Sequence, residues 1–209
     1  MEWVIVFVSV FAIFIPALML PGPDFIAVVR ASMAHGTVAG LLTTIGVSVG
    51  LGVYASLSLL GLSAILVEYQ WLAWTIRIAG GCYLAYLGFR LVFTKPAPLV
   101  VETNNRRRGN PLVLGFLVTL TNPKAIVLFT SVFATAVTGD TPHWVMASMI
   151  VLVIMSALIW YAIVSVFMSS QPVIARFRNS QHWIERAAGV CFVAIGGRIL
   201  ADSRNPLTP

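Results

Sequence analysis

Six stretches of this chain are apolar for long enough to cross a lipid bilayer, which takes roughly 17–25 mostly apolar residues. They run about Trp3–Val29, Gly36–Val67, Trp71–Phe93, Pro111–Val137, Trp144–Ser170 and Trp183–Leu200. The runs are continuous rather than alternating, so they must be helices and not barrel strands. Two of them are interrupted, the first at Leu20-Pro-Gly-Pro-Asp24 and the fourth at Leu120-Thr-Asn-Pro-Lys124. Laid over each other, Pro23 falls on Pro123 and Asp24 on Lys124. The expected fold is an all-α integral membrane protein with broken first and fourth helices. Paired broken helices at matching positions of two halves point to the binding site of a transporter.

Composition excludes the soluble classes. Of 209 residues, 59% are hydrophobic and only 10% charged, whereas soluble domains carry about 25% charged residues. The net charge of +6 would suggest nucleic acid. The basic residues, however, cluster between apolar runs, where membrane topology explains them, and no nucleic-acid partner is expected. The N-terminal run begins with Glu2 rather than a basic segment, and no small-residue cleavage site follows the apolar stretch, so a cleavable signal peptide is not expected. Cys82 and Cys191 both lie inside apolar segments, which fits neither a disulfide scaffold nor a zinc site. No metal and no cofactor are expected, and the chain is not read as an enzyme.

Orientation follows from lysine and arginine. With the loop Thr94–Asn110 in the cytoplasm, Arg30, Arg90, Lys95, Arg106, Arg107, Arg108, Arg176, Arg178 and Arg186 lie inside. Only Arg77, Arg198 and Arg204 then lie near the outer face. That asymmetry obeys the positive-inside rule and puts both termini outside. The chain divides into halves of about 1–93 and 111–200, joined by the solvated linker 94–110, within one transmembrane domain. Arg77-Ile-Ala-Gly-Gly-Cys-Tyr-Leu-Ala-Tyr-Leu-Gly88 can be laid over Arg186-Ala-Ala-Gly-Val-Cys-Phe-Val-Ala-Ile-Gly-Gly197, with Arg, Ala, Gly, Cys, Ala and Gly coinciding. Three helices per half force opposite orientations, so the expected arrangement is a 3+3 inverted repeat.

The breaks carry the chemistry. Proline at the first position of a helix loses no hydrogen bond, so Pro23 and Pro123 are placed to restart helices, with Asn122 as an N-cap. A new helix N-terminus presents unpaired N–H groups and a positive dipole end, which favour an anion such as a carboxylate. Asp24 is stabilised there; Lys124 is not, and a cation at membrane depth needs a partner. That partner is expected to be Asp24 or a bound carboxylate. A zwitterion would match both poles, its ammonium facing Asp24 and its carboxylate facing Lys124. A carboxyl so placed could also take up and release a proton as access alternates. The expected substrate and proton site is Asp24, Lys124, Asn122, Pro21, Gly22, Pro23 and Pro123. The plainer alternative is that Asp24 and Lys124 pair only to hold the halves together. Depth is a further question, since Arg30 follows Asp24 closely and suggests a place nearer the cytoplasmic face. The small residues Gly36, Gly40, Thr43, Gly46, Ser48, Gly50 and Gly52 give the second helix a face for close packing.

These residues resemble the lysine exporter (LysE/RhtB) family of amino-acid efflux proteins, which includes homoserine/threonine exporters. The resemblance rests on Leu20-Pro-Gly-Pro-Asp24, the glycine-spaced second helix and Gly80-Gly-Cys-Tyr-Leu-Ala-Tyr-Leu-Gly88. It continues through Gly115-Phe-Leu, Thr121-Asn-Pro-Lys124 and Gly189 to Gly197. It implies a multi-pass protein of the bacterial cytoplasmic (inner) membrane that exports amino acids such as homoserine or threonine by antiport, driven by H⁺. A homodimer is left open. A metal or other cation exporter would want more carboxylate or soft ligands in the membrane than this chain offers. A transmembrane thiol oxidoreductase would need cysteines close to the breaks.

Overall fold

The computed structural model describes residues 2–62, 68–93, 109–133, 136, 141–168 and 171–202, and every regular element among them is helical. Helices α1 (Glu2–Met19) and α2 (Pro23–His35) flank the first break. Gly36 turns the chain into α3 (Thr37–Ser56), which continues as a π-helical turn over Leu57–Leu62. After α4 (Gln70–Phe93) come α5 (Pro111–Leu120) and α6 (Pro123–Leu128), separated by the second break, and a π-helical turn over Phe129–Phe133. Helices α7 (His143–Phe167) and α8 (Gln171–Asp202) complete the fold. Except for Gly109 and Asn110, the linker 94–110 lies outside the described residues, as does Asp140.

Proline marks the starts of α2, α5 and α6, where its missing N–H costs nothing. Gly36 has φ +82°, a left-handed conformation that glycine alone adopts without strain, and this is what folds α2 back beside α3. Gly36 therefore serves a turn and not the packing face expected of it.

Three helical stretches, Thr37–Gly61, Trp74–Phe93 and His143–Phe167, are long and apolar enough to cross a membrane. The pairs α1–α2 and α5–α6 are also long and apolar enough when each is taken as one broken span, bent by 44° and 52° respectively. The sixth expected span differs. It lies within α8, whose 32 residues extend for about 48 Å at ~1.5 Å per residue. Its C-terminal part carries Glu185, Arg186 and Arg198, and these charges keep it out of the set of membrane-length apolar helices.

Small residues set how the helices pack. A Cβ on Gly88 would lie 2.6 Å from the Gly189 carbonyl, and one on Gly196 would lie 2.7 Å from that of Gly81. Helices α4 and α8 therefore run antiparallel with their backbones nearly touching, as small-residue interfaces in membranes do. Along α3, Gly46 faces Leu112 and Phe116, and Gly50 faces Thr119, so α5 lies alongside in the same direction. Another face of α3 meets α7 in the opposite direction, Gly40 near Ser165 and Gly52 near Ile154. At the centre Phe14, Phe129 and Phe133 are fully buried, with Phe129 and Phe133 ring centroids 4.5 Å apart. Apolar side chains such as Val4, Val8, Val151, Met155 and Ile159 face outward, a surface that lipid would cover.

Candidate functional site

The two breaks face each other. Asp24, the second residue of α2, is buried at 2% exposure. One carboxylate oxygen accepts from Thr119 Oγ1 at 3.0 Å and the other from Asn122 Nδ2 at 2.8 Å. Both donors belong to the other break, Thr119 at the end of α5 and Asn122 just before α6. Asp24 lies level with the second break, and Arg30 is exposed about 9 Å further along α2 at ~1.5 Å per residue.

Asn122 works with both ends of its amide. Its Oδ1 accepts the Lys124 backbone N–H at 3.0 Å, capping α6, while its Nδ2 holds Asp24. An N-cap that also donates to a buried carboxylate fixes the two broken helices relative to each other. Pro123 opens α6 and Pro23 opens α2, both with exposed rings; Pro21 and Gly22 are half-buried between α1 and α2.

Lys124 departs from expectation. Its ammonium does not share a hydrogen bond with Asp24. It donates instead to the backbone carbonyls of Ala17 at 2.9 Å and Leu20 at 3.3 Å. These carbonyls belong to the C-terminal end of α1, which carries the negative pole of the helix dipole. Gly22 leaves room for this approach, because a Cβ there would stand 3.0 Å from Nζ, a tight contact. Backbone oxygens thus hold the ammonium, and the Asp24 carboxylate attracts it through space without a hydrogen bond.

A helix end leaves its last carbonyls without intrahelical partners, and in both breaks most of them are met. In α1, Pro16 accepts the Leu20 N–H, Leu18 accepts the Tyr161 hydroxyl at 3.5 Å, and Lys124 takes Ala17 and Leu20. In α5, the Thr121 hydroxyl bonds the carbonyls of Leu117 and Val118, the Asn122 N–H that of Thr119, and Tyr54 donates to Leu120 at 2.7 Å. The tyrosines thus cross over: Tyr54 on α3 serves the second break, and Tyr161 on α7 serves the first. Ser48 on α3 is 1% exposed and its hydroxyl finds no hydrogen-bond partner. Further along, Thr44 and Ser165 bond each other at 3.1 Å.

Of the site residues expected from sequence, Asp24, Asn122 and Lys124 come together with Gly22, and the three prolines shape the breaks. Sequence reasoning missed Thr119, Tyr54 and Tyr161. Thr119 had a usable signal, as a polar residue in the last turn of an apolar helix just before the break. The tyrosines had none, because each is one aromatic residue within a long apolar helix. Cys82 and Cys191 are exposed on α4 and α8.

The site's surroundings are matched by sequence likeness. The model of the LysE type translocator family matches residues 15–203. The threonine efflux protein of Escherichia coli (strain K12) is 30% identical over 201 residues, covering 91% of this chain and 95% of that protein. The threonine efflux protein of Salmonella typhi is 28% identical over 198 residues, with the same shares covered. An uncharacterized membrane protein of Haemophilus influenzae is 28% identical over 199 residues, covering 91% of this chain and 93% of its own length. No solved structure matches the chain.

Proposed function

The chain belongs to the LysE type translocator family, and from that premise we propose that it exports threonine, homoserine or a related amino acid across the bacterial cytoplasmic membrane in exchange for H⁺. Membership makes it a multi-pass membrane protein that moves a small molecule rather than an enzyme. Two relatives of near-full-length coverage are threonine efflux proteins, which is why a zwitterionic amino acid is the proposed cargo.

One observation carries the reading: a buried carboxylate and a cation, one from each half, lie at facing helix breaks. In this reading the cargo ammonium turns to Asp24, with the hydroxyls of Thr119 and Ser48 nearby. Its carboxylate takes the positive N-terminal ends of α2 and α6 and draws on Lys124. Asp24 takes up a proton on one side and gives it up on the other, so each turnover moves cargo out and H⁺ in. Pro21, Gly22, Pro23, Pro123 and Asn122 keep the breaks open.

The proposed frame is six spans in two inverted halves of about 1–93 and 111–200, with α8 supplying the sixth and both termini outside. The crossed contacts support this frame, since Asp24 reaches the second break while Lys124 reaches the first. So does the antiparallel pairing of α4 with α8 and of α3 with α7. A homodimer is compatible with this frame and is not required by it.

The test is direct. Proteoliposomes loaded with labelled threonine, homoserine or lysine are given an outward-facing acid pH, and loss of label is timed. Threonine or homoserine should leave faster than from protein-free vesicles, and faster still with the pH gradient. Equal rates for all three with and without protein would sink the assignment.

A further inference from the structure

We propose that the C-terminal carbonyls of α1 form a monovalent-cation site, which the protein fills with its own Lys124 ammonium. The Ala17 and Leu20 oxygens lie 2.9 and 3.3 Å from Nζ. They stand at the negative end of α1, where the helix dipole adds to the pull of the carbonyl dipoles. Gly22 borders the cradle, where a Cβ would stand 3.0 Å from Nζ and crowd it. Backbone carbonyls at unwound helix ends are the donors that bind alkali and ammonium ions in membranes.

The direction of Lys124 shows how strong the pull is. The residue sits at the N-terminal end of α6, whose own dipole repels it. Asp24, the one carboxylate held at the facing break, is bonded instead by the neutral donors Thr119 and Asn122. The ammonium turns to the two oxygens at the end of α1, while the Asp24 carboxylate attracts it only through space. A tethered cation is always present, so the wild-type protein needs no soluble co-ion to hold its first break together. Losing the tether should open the site to a free cation.

This inference does not rest on the cargo assignment, and its readout is stability rather than transport. Lys124→Ala removes four atoms, Cγ to Nζ, which are those of n-propylammonium. Thermal unfolding of purified wild type and Lys124→Ala is measured in detergent with n-propylammonium chloride. Controls are N-methylglucamine chloride at equal ionic strength and the neutral analogue 1-propanol. The amine should raise the Tm of Lys124→Ala by about 3 °C at concentrations well above its Kd, and leave the wild type unmoved. No shift, an equal shift in the wild type, or an equal shift with propanol would each overturn the site. Lys124→Gln covers the case in which Lys124→Ala does not fold, since its neutral amide can donate to the same carbonyls. It should melt below the wild type, and a Lys124→Gln protein as stable as the wild type would show that no cation is needed.

Discussion

At the scale of single residues, Asn122 joins more of the site than any other side chain. It caps α6 through Oδ1 and holds Asp24 through Nδ2. Loss of an N-cap costs about 1 kcal/mol, and loss of a bond to a charged group about 1.5–3 kcal/mol. Asn122→Ala should therefore lose about 3 kcal/mol, seen as a lowered midpoint in detergent thermal unfolding; an unchanged midpoint would mean that the two bonds contribute nothing. Thr119→Val removes one donor to Asp24 at nearly constant volume. The one hydroxyl proton is shared between Asp24 and the Gly115 carbonyl, whose own helix bond remains without it, so export should slow by about tenfold with little change in expression. Export at the wild-type rate would place Thr119 outside the site. Asp24, Asn122 and Lys124 were legible in the sequence because polar residues beside prolines stand out in apolar runs. The oxygens that hold Lys124 were not, since every residue has a carbonyl and only the fold selects Ala17 and Leu20.

Among the elements, the glycine-lined pair α4 and α8 shows how close packing supports a site it does not touch. Gly196 sits against the backbone of Gly81 and Ala85, whereas Gly197 has open space where a Cβ would go. Overpacking a tight interface typically costs 1–3 kcal/mol. Gly196→Ala should lower the unfolding midpoint while its neighbour Gly197→Ala leaves it unchanged. Equal effects from the two would refute the packing described. The sequence announced helix starts better than helix extents. Proline fixes where α2, α5 and α6 begin, but α8 starts at Gln171 rather than Trp183, because its first turns mix Val173, Ile174 and Phe177 with Arg176, Arg178 and Asn179 and so do not read as an apolar run. The second helix was read as one small-residue face. It presents more than one, Gly46 and Gly50 to α5, Gly52 to α7 and Gly40 to Ser32 of α2 and Ser165 of α7, and spacing alone does not say which neighbour each glycine meets.

For the whole molecule, the proposed inverted repeat makes a topological prediction. Reporter fusions at either terminus should read as outside, and a reporter in the linker 94–110 as cytoplasmic; a cytoplasmic terminus would break the six-span frame. The positions of Asp24 and Lys124 were legible as a spacing of one hundred residues. Their partners were not, because each charge is satisfied by groups on the opposite break that only the folded chain brings near. The most direct test of the facing breaks as one proton-coupled site is Asp24→Asn in proteoliposomes, with export of labelled threonine measured alongside threonine exchange at equal pH. Asn keeps the shape and the bond from Thr119 but cannot carry a proton at neutral pH. The expected result is loss of pH-driven export with exchange retained, whereas pH-driven export at the wild-type rate from Asp24→Asn would contradict the site.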